Sequence, residues 1–448
     1  MFPNPQDALP LPPRPSVEQY RKLAKDLVKA CKSGDPDAIG AWADRWMTSL
    51  GQAATFGRDP GGRRWLDRMA GEVGEFAARK LKPAGARSCV LADAQFVITR
   101  SHGFESWPKF VAHLDRLAHS GSDVAAYEAA ADAIVAGDEE TLRRLIAADP
   151  SLIHQRSTRE HRATLLHYVS ANGVEGYRQH TPKNIVAIAE MLLEAGAEVD
   201  AEADVYGGGS TTLGLTATSA HPRAAGVQNA LLQLLLDRGA QIQKPNLAGN
   251  GHGAVMACLA NGCPEAAEFL AERGARLGIV EAAGVGRLDV VKTCFDAHGE
   301  PLVGITLDVI HTAFRYACFY GRDDIVEYLI GRGVDLAGHD GDGQTGLHYA
   351  AMGGRLDIVA LLTRHGAPLE AVNQYGGTVL GQALWSAAHG GDTRVFVRIV
   401  EALIVAGAKV PEKHPPVSPE VDEVLARHGC VTDDALSWSG EGARKRRA

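Results

Sequence analysis

The sequence lacks the marks of a membrane, secreted or nucleic-acid-binding protein. No apolar run approaches the roughly 18 uninterrupted residues of a membrane-spanning helix. The first fifteen residues are rich in proline and have no basic region followed by an apolar core, so we expect no signal peptide. The formal net charge is −8, which argues against a general nucleic-acid surface. We therefore expect no membrane partner, and nucleic-acid binding by the N-terminal helices is kept only as a third, weaker option.

Cysteine patterns that hold metals or disulfide frameworks are also missing. The seven cysteines are an odd number, are scattered, and include no C-x-x-C pair. Several fall at predicted core positions of helices, so we expect reduced, buried thiols and a cytoplasmic location. No H-E-x-x-H motif and no His/Cys pair with zinc-finger spacing occurs, so we expect no metal and no cofactor.

Glycine, by contrast, is abundant at 50 residues, and one glycine-punctuated stretch organises the chain. In residues 343–367, Thr345 is placed to cap a first helix, and Gly354 to end it. An apolar stripe of Ile358, Val359, Leu361 and Leu362 then marks a second helix, which ends at Gly366. Neither helix is long enough to be stable alone, so the pattern predicts neighbouring copies of itself.

This stretch resembles the ankyrin repeat, with its Thr-Pro-Leu-His-x-Ala-Ala-x-x-Gly and Leu-Leu-x-x-Gly-Ala motifs. Gly346 stands where the family usually has proline. The resemblance implies an all-α solenoid, with a β-turn finger before each first helix and protein binding through the concave face and the fingers. It also implies a structural, hydrogen-bonding role for the motif threonines and histidines, which are Thr164, His167, Thr345 and His348.

Copies of the motif predict about eight helix-turn-helix repeats behind a helical N-terminal domain. We predict a disordered Pro-rich tail at 1–15, the helical domain at 16–120, the ankyrin array at 121–410, a C-terminal cap at 411–430, and a disordered basic tail at 431–448. Part of the helical domain, residues 91–109, looks like a segment found before ankyrin repeats in many bacterial proteins. That resemblance predicts a bacterial source and implies no activity.

Three repeats depart from the regular spacing of 12 positions between the turn glycine and the closing glycine. Relative to the regular repeat, the second carries 11 extra residues, the third 7 and the eighth 8. Insertions in a solenoid map to one surface and often to the binding face. From these insertions and the fingers before them, the candidate binding residues are Tyr177, Arg178, Tyr206, His221, Arg223, Tyr375 and Trp385.

Two interpretations of the insertions remain open. They form a recognition surface, since tyrosine, arginine and tryptophan supply most interface energy, or they cover a bend in the solenoid. The favoured function is a non-catalytic scaffold, expected to be a monomer, that binds an unidentified protein. The alternative is a small-molecule binder or atypical enzyme, with Glu175 and His180 or His221 as an acid/base pair. A deep pocket converging on Tyr177, Arg178, Tyr206 and His221 would favour that alternative.

Overall fold

The structure is built almost entirely from helices, which confirms the all-α class predicted from the sequence. It is a computed structural model that describes residues 3–53, 60–81, 89–243 and 253–438. The chain divides into two compact units, residues 1–270 and 271–448. The boundaries predicted at 120 and 410 fall inside these units. No helix in the described ranges has the length and apolar character needed to cross a membrane.

The first unit begins with five helices around an aromatic-rich core. Ser16 caps the first of them, because its hydroxyl accepts from the Gln19 amide at 3.2 Å. The core includes Trp42, Met69 and Phe110, all of which are buried. The helices are α1 (Val17–Lys32), α2 (Ala38–Ala53), α3 (Pro60–Leu81), α4 (Leu91–Ser101) and α5 (Trp107–Leu117).

The Pro-rich segment before α1 is packed, which corrects the prediction of disorder for residues 1–15 as far as residues 3–15 are concerned. Leu9 is fully buried, and its amide donates to the Ser101 carbonyl at 2.8 Å. The Leu9 carbonyl in turn accepts from Nδ1 of His102 at 3.0 Å. The prolines limit regular structure here to one 3₁₀ turn, Pro5–Asp7, but they do not prevent burial, and the apolar side chain at position 9 gains enough from burial to hold the segment.

The expectation that all cysteines are reduced is wrong for one pair. Cys31 and Cys89 form a disulfide, with their Cα atoms 5.7 Å apart. The thiols of Cys258, Cys263, Cys294, Cys318 and Cys430 are free. Because disulfides persist mainly in oxidising compartments, this pair removes the ground on which the sequence predicted a cytoplasmic location.

The rest of the first unit consists of ankyrin-like helix pairs and their insertions. The first helix of the second repeat is a 3₁₀ helix, Leu165–Ser170, and its insertion holds a 3₁₀ turn, Gly176–Arg178. β1 and β2 pair antiparallel, with Glu202 opposite Thr211. The remaining elements are α6 (Asp123–Ala136), α7 (Glu139–Ala148), a 3₁₀ turn (Pro150–His154), α8 (Ile185–Glu194), β1 (Glu202–Ala203), β2 (Ser210–Thr211), α9 (Thr212–Ala217), α10 (Ala220–Ala224), α11 (Gln228–Asp237), α12 (Ala254–Ala260) and α13 (Pro264–Glu272).

The second unit holds the most regular repeats. Its apolar core runs through the facing sides of all its helices, with alanine or another small residue where two first helices approach. β3 and β4 pair parallel beside the last helix. The elements are α14 (Ile279–Val285), α15 (Leu288–Lys292), α16 (Leu307–Tyr320), α17 (Asp323–Gly331), α18 (Gly346–Met352), α19 (Leu356–Arg364), α20 (Val379–Ala388), α21 (Thr393–Val405), β3 (Lys413–His414), α22 (Pro419–Arg427) and β4 (Val431–Thr432).

Arginines that follow the turn glycines tie consecutive repeats of the second unit together. Nε of Arg322 donates to the Gly284 carbonyl at 2.9 Å, and Nε of Arg355 donates to the Phe319 carbonyl at 2.9 Å. Each carbonyl lies near the C-terminal end of the first helix in the preceding repeat, where backbone acceptors lack helical partners and a positive charge is favourable. The arginines therefore cap the neighbouring repeat.

The end of the chain departs from the predicted boundary at 430. The C-terminal cap extends to β4, and Nε1 of Trp438 donates to the Pro416 carbonyl at 3.0 Å. Residues 431–438, which were predicted to belong to a disordered tail, are thus part of the fold. The basic run 444–447 lies outside the described residues.

Candidate functional site

The insertion of the second repeat folds into the first unit. Arg178 ends its 3₁₀ turn and is only 4 % exposed. Its Nη1 lies 2.8 Å from Oε2 of Glu128, and its Nη2 lies 2.7 Å from Oδ1 of Asp132. Tyr177 is partly buried, and its hydroxyl accepts from Arg159 at 3.4 Å. Of the two interpretations left open by the sequence, these contacts favour a structural role for Tyr177 and Arg178, because both side chains have intramolecular partners.

Around Arg178 lies a buried ionic cluster, which consists of Glu128, Arg159, His161, Glu175 and Arg178. Nη1 of Arg159 lies 2.6 Å from Oε1 of Glu128 and 2.9 Å from Oε1 of Glu175. Arg178 also approaches Glu175, at 3.4 Å. Two arginines and two glutamates therefore balance one another, as buried charges require.

The cluster keeps both carboxylates ionised. Burial by itself would raise the pKa of Glu128, but the charges of Arg159 and Arg178 outweigh it and bring that pKa to about 2. Burial likewise opposes ionisation of Glu175, yet Arg159 and His161 hold its pKa well below the usual range. The two carboxylates are therefore permanent charges near neutral pH and do not exchange protons there.

The imidazole of His161 completes the cluster. Its Nδ1 accepts from the Ala163 amide at 3.1 Å, so the ring proton of the neutral form is assigned to Nε2. That Nε2 lies 3.3 Å from Oε1 of Glu175. Glu175 is thus partnered within the cluster. The acid/base pair considered from the sequence, Glu175 with His180 or His221, is not formed: His180 instead contacts the Val135 carbonyl through Nδ1 at 3.1 Å.

The third-repeat residues lie on the surface but have partners of their own. The Tyr206 hydroxyl lies 2.6 Å from Oε1 of Gln6 and 2.7 Å from Oδ1 of Asn172. Arg223 lies on α10, and its Nη1 donates to the Gly262 carbonyl. His221 lies on the same helix, and the partial burial of its ring, followed by the nearby charge of His180, lowers its pKa. The second- and third-repeat insertions are therefore neighbours, as their order in the chain predicts.

Three clefts of the described residues lie away from the place where the alternative function requires a pocket. They have volumes of about 640, 360 and 670 Å³ and occur in the described part of the first unit. Their lining residues lie between positions 12 and 162, so none of the three reaches Tyr177, Arg178, Tyr206 or His221. The described residues also contain no group of three or more His, Cys, Asp or Glu placed to hold a metal ion.

The two eighth-repeat candidates both expose much of their side chains. Tyr375, at the finger tip, is 69 % exposed. Trp385, on α20, is 45 % exposed and stacks on His389 with ring centroids 4.2 Å apart. The eight extra residues of this repeat mostly lengthen its two helices, α20 and α21, instead of forming a long loop. The insertion therefore extends both helices of the repeat by about one turn each.

The motif threonines and histidines hold the repeats together. Nδ1 of His167 accepts from the Thr164 amide at 3.1 Å, and Nδ1 of His348 accepts from the Thr345 amide at 3.2 Å. Their Nε2 atoms approach the backbone of the next repeat, at Ser210 and at Gly377. Each imidazole thus links its own helix cap to the following finger.

An arginine replaces the motif histidine in the sixth repeat. Arg315 precedes Gly321 by six positions, as His348 precedes Gly354. The side chain is 5 % exposed; its Nη2 donates to Thr312 Oγ1 at 2.9 Å, while its Nη1 has no hydrogen-bond partner. Because α16 begins at Leu307, Thr312 lies within the helix and does not cap it.

Sequence reasoning missed Glu128, Arg159 and Arg315. Glu128 and Asp132 are four positions apart on α6, the spacing of one helix face, and this is the one local signal that the cluster offers. Arg159 lies in a loop without a motif, so nothing in the sequence predicts its burial. The replacement of the motif histidine by arginine at position 315 can be predicted from the repeat register alone.

The sequence profile of the ankyrin repeats, in three copies, matches residues 314–413. No curated protein matches the chain. A solved structure to which it is similar is the human ASB11 ankyrin repeat domain, at 24 % identity and a TM-score of 0.34; the alignment covers 62 % of this chain and 98 % of that one. The profile match over α16–α21 and the capped helix pairs show that this chain carries ankyrin repeats.

Proposed function

We propose that this chain is a non-catalytic scaffold that binds another protein through the finger and first-helix face of its second unit. This face consists of the first helices α14, α16, α18 and α20 together with the loops that precede them. Ankyrin repeats are a protein-interaction module, and that supports the general class of function. The face itself is inferred from the exposure of its side chains.

The observation that carries the proposal is the exposure of Tyr375 and Trp385. Large aromatic side chains at such exposure are costly in water and supply much of the binding energy in protein interfaces. Most of the other candidates have intramolecular partners: Tyr206, although 45 % exposed, has its hydroxyl bonded to Gln6 and Asn172. Tyr177 and Arg178 are committed to the buried ionic cluster, and Arg223 is bonded to a backbone carbonyl.

The test is a pull-down with the purified full chain against a lysate of its source cell, compared with the double variant Tyr375→Ala and Trp385→Ala. We expect the amount of a captured protein to fall at least about tenfold with the variant. Aromatic side chains in interfaces commonly contribute about 1.4 kcal/mol or more each, and 1.4 kcal/mol corresponds to a tenfold change in affinity. The control is Val405→Ala, which removes an exposed apolar side chain from the second helix α21. Equal capture by all three proteins would contradict the proposal.

A further inference from the structure

The finger and first-helix face of the second unit differs in charge from the rest of that unit. Residues 278–286, 296–320, 335–353 and 368–389, which form this face, contain eight acidic residues and one arginine. The second-helix segments between them, within 287–410, contain nine basic and seven acidic residues. The acidic residues of the face are Glu281, Asp296, Glu300, Asp308, Asp335, Asp340, Asp342 and Glu370.

Aromatic side chains run along the same first helices. Tyr316 and Phe319 on α16 and Tyr349 on α18 are each partly exposed, and the rings of Phe319 and Tyr349 are 6.2 Å apart in an edge-to-face arrangement. Trp385 on α20 and the finger residue Tyr375 extend the series. We call these five residues, together with the eight acidic residues, the acidic–aromatic face.

In the seventh repeat, an acidic side chain and an aromatic side chain of this face are hydrogen-bonded to each other. The Tyr349 hydroxyl donates to Oδ2 of Asp340 at 2.8 Å, while Oδ1 of Asp340 accepts from the amides of Asp342 and Gln344 at 2.9 Å. The carboxylate is thereby held beside the ring. Ion pairs of the unit, such as Arg287 with Asp289 and Arg427 with Glu401, lie outside the face. The carboxylates and the ring faces together form a surface that attracts cations.

Arg315 supplies a second kind of contact beneath this surface. It lies one position before Tyr316, and its charge lowers the pKa of Tyr349, although burial and the bond to Asp340 raise that pKa overall. Its Nη1 is a buried donor without a partner. A cationic side chain does not satisfy that donor, but a main-chain carbonyl does. The ligand that meets both requirements is a polypeptide segment with basic side chains.

We infer that the acidic–aromatic face binds a lysine- or arginine-rich segment of a partner protein. Basic side chains pair with the carboxylates and stack on the rings, and the segment's backbone offers acceptors to Arg315. This inference rests on the proposed function, because it assigns the chemistry of the partner bound at the same face.

The test uses two fluorescein-labelled peptides of 12 residues, each with the same apolar residues; one carries lysine and arginine, and the other carries glutamate at those positions. Fluorescence anisotropy with the full chain is measured at increasing NaCl concentration. We expect the basic peptide to bind and the acidic one not to, with affinity falling as salt screens the carboxylates. Equal binding of both peptides, or binding that salt does not weaken, overturns the inference.

Charge-reversal variants locate the site. Asp308→Lys and Asp342→Lys are each verified as folded by circular dichroism and thermal melting. Both variants are expected to weaken the affinity for the basic peptide by about tenfold or more. The matched controls Glu327→Lys and Asp357→Lys reverse exposed acids on the second helices α17 and α19 and are expected to change the affinity by less than about twofold. An equal loss in the controls overturns the assignment to this face.

Other occupants give distinguishable results. Binding of the basic peptide only after removal of residues 439–448 would assign the face to the chain's own basic run at 444–447 and would overturn the inference of a partner protein. A dimer that Asp308→Lys dissociates would assign it to a second copy, with the same consequence. A captured partner that resists high salt but is lost from Tyr375→Ala/Trp385→Ala would leave the proposed function intact and refute its basic character.

Discussion

Nη1 of Arg178 lies 2.8 Å from Oε2 of Glu128, although 50 positions separate the two residues. The contact joins the second-repeat insertion to the first helix of the first repeat. Arg178→Met removes one of the two cations that balance Glu128 and Glu175, so one buried negative charge is left without compensation. We expect the free energy of unfolding of the first unit to fall by about 3–5 kcal/mol, measured by urea denaturation.

The control for this variant is Arg238→Met, which breaks an exposed ion pair between Arg238 and Glu190. Surface pairs contribute little, so the expected loss is below about 1 kcal/mol. Similar losses for the two variants would show that the buried ionic cluster has no special structural role.

Buried histidines predict a pH dependence. Burial lowers the pKa of His102 to about 3, and those of His113 and His167 to about 4. The unfolded chain binds protons at these sites below about pH 6.5, whereas the folded chain does not, so stability falls as the pH drops from about 6.5 toward 4. Each histidine contributes a slope of up to about 1.4 kcal/mol per pH unit in that window.

Urea unfolding at pH 7.5 and at pH 5.5 gives the free energy of unfolding at each pH. His167→Gln should reduce the difference between these two free energies. The exposed His428 provides the control substitution, His428→Gln, which should leave the difference unchanged. Stability that is constant over this pH range would contradict neutral burial of the three histidines.

The disulfide predicts sensitivity to reductant. It links residues 58 positions apart, and a cross-link of that span stabilises the folded chain by about 4 kcal/mol in the chain-entropy account. Cys31→Ser with Cys89→Ser should therefore lower the melting temperature of the first unit, and dithiothreitol should lower that of the native chain equally. Cys294→Ser, at a free thiol, is the control. Two freely alkylated thiols at positions 31 and 89 under non-reducing conditions would refute the bond.

Close packing at Gly346 predicts an unusual glycine effect. A Cβ atom at this position would lie 2.5 Å from Cε1 of Phe314, so Gly346→Ala should lower the stability of the second unit although alanine favours helix by about 1 kcal/mol. A Cβ at Gly331, the last residue of α17, meets nothing within 4 Å, so Gly331→Ala should be neutral or stabilising. Thermal unfolding compares them, and a stabilised Gly346→Ala would show that Phe314 moves aside.

The repeats were predictable because their determinants are local. Thr345, His348 and Gly354 lie within ten positions, and their roles as cap, link and helix end follow from that spacing. Gly346 in place of proline was visible too, but its cause, the ring of Phe314, belongs to the preceding repeat.

The candidate site was harder to predict because the same residue types occur in exposed interfaces and in buried clusters. Tyr177 and Arg178 have the composition of an interface, yet their partners Glu128 and Arg159 come from segments with no motif in common with them. Tyr375 and Trp385 have a similar composition and are exposed. Only three-dimensional neighbours distinguish the two pairs.

The packed segment before α1 has a consequence for how the chain is made. Gln6 contacts Tyr206, which lies 200 positions later. At a synthesis rate of about 5–20 residues per second, the segment waits roughly 10–40 s for that partner to be made. Leu9 is likewise translated well before its own partners Ser101 and His102, which follow after roughly 5–20 s, so a ribosome-associated chaperone would meet this apolar side chain uncovered.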